Sequence, residues 1–303
     1  PIISNCPANI SVGAGAGSCA AEVSWTEPTA TDNCTSAGNL VWTKSHTPGS
    51  SFNVGTTNVT YTAKDESNNV SIACSFTVTV TDNVAPVAAC KPATIYLNAS
   101  GQATLSVADV NDNSSDNCTS AGSLIITLSK TSFNCSNKGE NTVVMTVKDV
   151  SGNQSTCNAT VTVADNTAPT ITATSGTITS NVNTTAGQCY YAINGSEFDP
   201  TVTDNCTGAT LYYTVSGATT IAQTSGSMTG KQLAKGVNTI TWTAVDASGN
   251  TVSEPLIFVK TVVDNQAPVI SAKTNQNRMT NTDCGYTATG GEFDVTVTDN
   301  CSL

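Results

Sequence analysis

The chain has 303 residues, 22 of them acidic and 11 basic, for a formal net charge of -11. So few cations argue against nucleic acid as a partner, because phosphates would find nothing to neutralise them, and no apolar run is long enough to span a bilayer. Aromatics make up only 5% of the chain while twelve residues are cysteine, which points to thin β cores braced by disulfides in an oxidising, extracellular setting.

In chain order, Pro1-Ile2-Ile3-Ser4-Asn5-Cys6-Pro7 reads as the opening of a repeat and not as a signal peptide. An Asp-Asn-Cys triplet follows at Asp32 and returns at Asp116, Asp204 and Asp299. Strands of period two are predicted at Asn58–Ala63, Ser75–Val80, Thr142–Val147 and Thr239–Ala244. The first, third and fourth of these each run into a turn phrase, Lys64–Asn69, Lys148–Asn153 or Val245–Asn250. A linker phrase keeps step: Thr81–Pro86, Ala164–Pro169 and Val263–Pro268.

The triplets are 84, 88 and 95 residues apart, so the unit is a whole small domain. The Ala-Pro steps divide the chain into repeats 1–85, 86–168 and 169–267 with a partial fourth at 268–303. Tyr61, Met145 and Trp242 each precede the turn aspartate by four residues and are assigned one shared core position. Abundant β-branched residues, with Gly and Asn between strands and no helical period, predict tandem immunoglobulin-like antiparallel β-sandwiches. Ending just after the fourth triplet, the chain is expected to be a piece of a longer secreted protein whose export signal and anchor lie outside it.

The cysteines are expected to pair within repeats. Cys6 and Cys74 flank the first repeat, Cys90 and Cys157 the second, and in the third both positions change together, to Ala173 and Leu256. Joint loss marks a bonded pair. If bridges stay within a domain, Cys189 pairs with Cys206, and by position Cys19 pairs with Cys34 and Cys284 with Cys301. The second repeat has Ala103 near the Cys19 position and gains Cys135, which is assigned to Cys118. That assignment leaves no thiol nucleophile. The lone His46 reads as a surface loop residue, so no catalytic residues are expected.

The segments Cys6–Ile10, Val23–Cys34, Pro48–Ala63 and Cys74–Val80 together resemble the hyalin repeat, or HYR module, an immunoglobulin-like sandwich of extracellular adhesion proteins. The match is strongest over residues 1–85, and the later repeats look like diverged relatives. The resemblance implies non-catalytic cell adhesion. Long arrays of such modules are typical of giant Bacteroidota surface adhesins, including the gliding-motility adhesin. Surface proteins, surface glycans or neighbouring copies in a filament are the implied partners. A self-assembling filament segment and accessory modules of a secreted enzyme stay open beside the adhesive stalk.

The acidic phrases have two readings. In this topology the turn lies at the start of one domain and the linker leaves the end of the domain before it, so the two meet at each junction. Carboxylates and amide carbonyls gathered there suit Ca²⁺. The expected ligands are Asp82, Asn83 and Asp149 at the first junction and Asp165, Asn166 and Asp246 at the second, resembling cadherin junctions. Asp65 and Asp264 are their counterparts. The triplet acids Asp32, Asp116 and Asp204 join the set, with a Cys19–Cys34 bridge drawing Asp32 toward its own domain's outgoing linker. Alternatively, Asp-X-Ser-X-Asn is simply good β-turn chemistry.

Overall fold

A computed structural model describes residues 1–174 and 179–301 of the chain. Contacts divide it into two compact units: residues 1–95 with 103–164, and residues 96–102 with 165–303. The fold is all-β, of the expected tandem immunoglobulin-like sandwich kind. Among the described residues, no helix is long and apolar enough to cross a membrane.

In the first unit, residues 1–85 place Ile10–Gly13, Cys74–Thr81, Gly55–Lys64 and Val41–Lys44 side by side in one sheet. Ala20–Val23 paired with Ser50–Asn53 supplies strands to its partner layer. Alternation decides what is buried: Val59, Tyr61 and Ala63 point inward along one strand and Cys74, Phe76, Val78 and Val80 along the next. Trp25 closes the aromatic part of this core, edge-on to Phe76 at 5.3 Å and donating its Nε1–H to the Tyr61 hydroxyl at 2.9 Å. A lean core thereby takes in a large ring without leaving its polar tip unpaired. The sheet departs from the antiparallel expectation in one place, since Ile10–Gly13 runs parallel to Cys74–Thr81.

The rest of the first unit repeats the plan. Ile125–Leu128, Gly139–Lys148, Gln154–Ala164 and Ala93–Tyr96 form its sheet, with Val143, Met145, Val147, Val161 and Val163 buried. In the second unit the sheet gains a strand, in the order Thr179–Asn183, Leu256–Val263, Gly236–Val245, Thr210–Gly217, Ile221–Ser225. Gly217 is required there: its φ is +103°, and a Cβ would stand 2.3 Å from the Val237 carbonyl oxygen. Beyond the third linker, Val269–Ser271 pairs with Thr296–Thr298.

Tyr61, Met145 and Trp242 are fully buried. They also face equivalent neighbours in register, Cys74, Cys157 and Leu256 respectively. Cys6 bonds Cys74 and Cys90 bonds Cys157, so in two repeats the residue beside the shared core position is a half-cystine. In the third, Leu256 and Ala173 pack against the cluster that contains Trp242. Apolar packing stands where the bridge was lost.

The other expected bridges are not formed. Cys189 bonds Cys301, neither Cys206 nor Cys284 taking part. Cys135 and Cys206 are disulfide-bonded, while Cys19, Cys34, Cys118 and Cys284 are thiols. The pairings Cys19–Cys34, Cys118–Cys135, Cys189–Cys206 and Cys284–Cys301 are therefore corrected. The reason is geometric. Cys189 follows the hairpin that packs on the outgoing linker, with Thr184 N–H donating to Val263 O, whereas Cys206 is the last residue of the triplet beside the incoming linker, where Asn205 Nδ2 donates to Asp165. A sandwich separates those two ends by the length of its strands.

Truncating Trp242 to alanine should cost about 3–5 kcal/mol by removing the largest fully buried side chain. Val144→Ala, on the outward face of a neighbouring repeat and 37% exposed, should change stability by less than about 0.5 kcal/mol. Urea unfolding of the two variants measures the contrast, and equal losses would contradict the register.

Candidate metal centres

Each centre is built from three turns. In the first, Asp149 accepts from the Asn153 backbone N–H at 2.7 Å and from Asn153 Nδ2 at 2.7 Å, with Gly152 supplying φ of +100° between them. Asp246 and Asn250 repeat this at 2.8 and 2.8 Å, with Gly249 at φ +89°. Asp65 and Asn69 do so again at 2.8 and 2.8 Å, where Asn68 takes the positive φ. The asparagine amide has a second proton. At the first junction Asn153 Nδ2 gives it to Asp82 O at 3.0 Å, and at the second Asn250 Nδ2 gives it to Asp165 O at 3.0 Å.

The linker aspartates make turns of their own. Asp82 Oδ1 accepts from Val84 N–H at 3.1 Å and Asp165 Oδ1 from Thr167 N–H at 3.2 Å. In the triplets, Asp116 Oδ2 accepts from Cys118 and Thr119 N–H at 2.9 and 2.7 Å, and Asp204 Oδ2 accepts from Cys206 N–H at 3.1 Å. One oxygen of each triplet or linker acid thus closes a turn.

What remains is a pair of carboxylate trios, Asp82 with Asp116 and Asp149, and Asp165 with Asp204 and Asp246, each offering oxygens within 4.8 Å of one another. Each trio lies inside one compact unit. Asp82, Asp149, Asp165 and Asp246 are all buried. Asp82 Oδ2, Asp116 Oδ1, Asn117 Oδ1 and Asp204 Oδ1 are buried with no hydrogen-bond partner. Leaving such acceptors unpaired is costly. Two charges 4.8 Å apart repel by about 3.5 kcal/mol at an effective dielectric near 20, and no lysine or arginine among the described residues pairs with the acids of the first trio.

A hard cation fits these donors. Oxygens about 2.4 Å from one Ca²⁺ can be no more than about 4.8 Å apart, which both trios satisfy. The donor set differs in detail from the expected one. Asn83 and Asn166 are exposed, and the Asn83 amide lies against Gly13, 2.9 Å from where a Cβ would be. Asp32 is beside Asp65 and its Oδ2 meets the Pro1 amino group at 3.0 Å, and it is not beside its own domain's outgoing linker. Those two match Asp116 and Asp149 without a linker acid. Asp264 meets Lys235 Nζ at 3.5 Å and forms no trio among the described residues. Asn117 was not anticipated, although its place in the triplet was the available signal.

His46 packs its ring on Phe52 at 4.9 Å and contacts Ser45 Oγ at 3.1 Å. Burial, then the neighbouring Cys19, pushes the Cys118 thiol up to about 12.

Residues 1–80 match the HYR domain. The chain is 31% identical over 233 residues to hyalin of Strongylocentrotus purpuratus, covering 75% of this chain and 18% of that protein. It is 31% identical over 258 residues to hyalin of Lytechinus variegatus, covering 83% and 44%. The chain therefore spans less than half the length of these curated relatives. Among solved structures it is similar to human CDH23 EC21-23, at 16% identity and a TM-score of 0.37, covering 87% of this chain and 99% of that one.

The turn carboxylates set an acid limit. The backbone N–H groups of Cys34 and Thr35 hold Asp32 at about 2, and the Asn69 side chain lowers Asp65. Both folded values lie below the ordinary 3.8, so the stability these groups contribute is present above that value and is lost as pH falls through the folded pKa. The difference in melting temperature between wild type and Asp65→Ala should shrink as pH drops from about 5 toward 2. A difference that stays constant over that window would contradict the assignment.

Proposed function

From an HYR domain at residues 1–80, we propose that the chain is a non-catalytic segment of a large extracellular adhesion protein. Its modules are 1–85, 86–168, 169–267 and part of a fourth at 268–303, and Ca²⁺ stiffens the joints between them. The observation that carries this reading is the recurrence, at two successive junctions, of a largely buried carboxylate trio in which the triplet acid keeps a buried, unpartnered oxygen. A turn needs one oxygen of each triplet acid, and the second oxygen is what a cation takes. The disulfides suit an oxidising, extracellular location. Surface proteins or glycans are the partners this adhesive reading implies.

The metal has a mechanical role. Asp82 or Asp165 comes from the end of one module, and Asp116 with Asp149, or Asp204 with Asp246, from the start of the next. A cation bound by all three cancels their repulsion and joins two modules that a short Ala-Pro linker would otherwise let swing. No bond in the protein changes, and the ion holds position only.

Melting curves and small-angle scattering with calcium or with a chelator test this. Calcium at 100 times Kd should stabilise each site by about 2.7 kcal/mol and should reduce the spread of chain dimensions. Asp149→Ala combined with Asp246→Ala should abolish the calcium response while the chelated protein still melts cooperatively. Identical melting and identical scattering in both conditions would overturn the reading.

A further inference from the structure

Two hairpins in the chain are built alike. Gly15 N–H donates to Ala20 O and Ser18 N–H to Gly15 O, at 3.0 and 2.9 Å, with Gly17 at φ +75°. Thr185 N–H donates to Tyr190 O and Gln188 N–H to Thr185 O, both at 2.8 Å, with Gly187 at φ +73°. Each places a cysteine immediately before a strand, Cys19 before Ala20–Val23 and Cys189 before Tyr190–Ala192. Against each hairpin lies the Asp-Asn-Cys triplet of the following repeat. Asn300 Nδ2 donates to Gln188 O at 2.8 Å, and Cys118 Sγ lies 3.7 Å from Ser18 O, the matching carbonyl. Cys19 Sγ lies 2.8 Å from Asn117 O, the carbonyl just before Cys118, and Asn117 Nδ2 donates to Cys118 Sγ at 2.9 Å.

At one of these two places the cysteines are joined, as Cys189–Cys301. We propose that Cys19 and Cys118 form the equivalent disulfide, a covalent strap from the end of one repeat to the start of the next. In closing it, the two thiols release two protons, and two electrons pass to a disulfide oxidant. A thiolate attacks the oxidant to give a mixed disulfide, the second thiol displaces it, and the oxidant leaves as a dithiol. The strap crosses the junction that also carries Asp82, Asp116 and Asp149, but the inference stands apart from the calcium reading. It rests on the two hairpins alone.

The same register makes Cys34 a triplet cysteine and Cys284 a hairpin cysteine with no opposite number in the sequence. The intact chain should be refolded with reduced and oxidised glutathione until the Cys6–Cys74 bridge is closed. It is then alkylated, digested without reduction and mapped by mass spectrometry. A linked Cys19–Cys118 peptide is expected, two hydrogen masses below the paired thiols, with Cys34 and Cys284 alkylated. Cys19→Ser should abolish that peptide and leave Cys118 outside every intrachain bridge. Alkylation of both Cys19 and Cys118 in the wild type would overturn the proposal. So would a Cys19–Cys34 or Cys118–Cys135 peptide.

Discussion

The side-chain amide of one asparagine in each turn phrase governs how the chain is put together. Asn153 spends one amide proton on Asp149 of its own turn and the other on the Asp82 carbonyl of the incoming linker, and Asn250 does the same with Asp246 and Asp165. The turn is thereby closed and tied to the preceding repeat by one planar group. Lysine or serine could not replace it, because neither presents two donors of fixed direction while its own backbone N–H completes the turn. Once that amide is placed, the turn acid and the linker acid are neighbours. The triplet acid joins them because Thr119 Oγ1 accepts from Val150 N–H at 3.3 Å and holds the triplet beside the turn.

In Asp82, Asp116 and Asp204 turn closure takes one carboxylate oxygen and leaves the other for the proposed cation, whereas Asp149 and Asp246 give both oxygens to their own turns. Asp116 uses Oδ2 for two backbone N–H groups and leaves Oδ1 buried and unpaired, and Asp204 divides its oxygens the same way. A sequence selected for turns alone has no reason to bury the second oxygen, since exposing it to water would cost nothing. Burying two such oxygens at equivalent places calls for a partner at both.

Much of the fold was legible because period-two alternation and turn phrases are local signals. The spacing of Tyr61, Met145 and Trp242 from their turn aspartates carried the register of three sheets, since a strand running straight into a tight turn cannot slip. The pairing of Cys6 with Cys74 could be read from the joint substitution at Ala173 and Leu256, which both pack against the core cluster of the third repeat. The triplet cysteines were misassigned because the reading held each bridge inside one repeat. That premise fails where a hairpin at the end of one repeat packs on the start of the next, as Gln188 does with Asn300. The same premise sent Asp32 to the wrong end of its domain and hid Asn117. Such placements depend on contacts between repeats, which no local pattern encodes.

The central claim is that the two buried trios are cation sites and not just turn residues. Equilibrium dialysis against calcium, with the bound ion counted per chain, tests it most directly. The account predicts two strongly held ions, one for each trio, falling to one in Asp116→Asn and to none when Asp204→Asn is added. Both asparagines keep a side-chain oxygen to close the turn while removing the charge. No bound calcium in the wild type, or the same number of ions in all three proteins, would contradict the account.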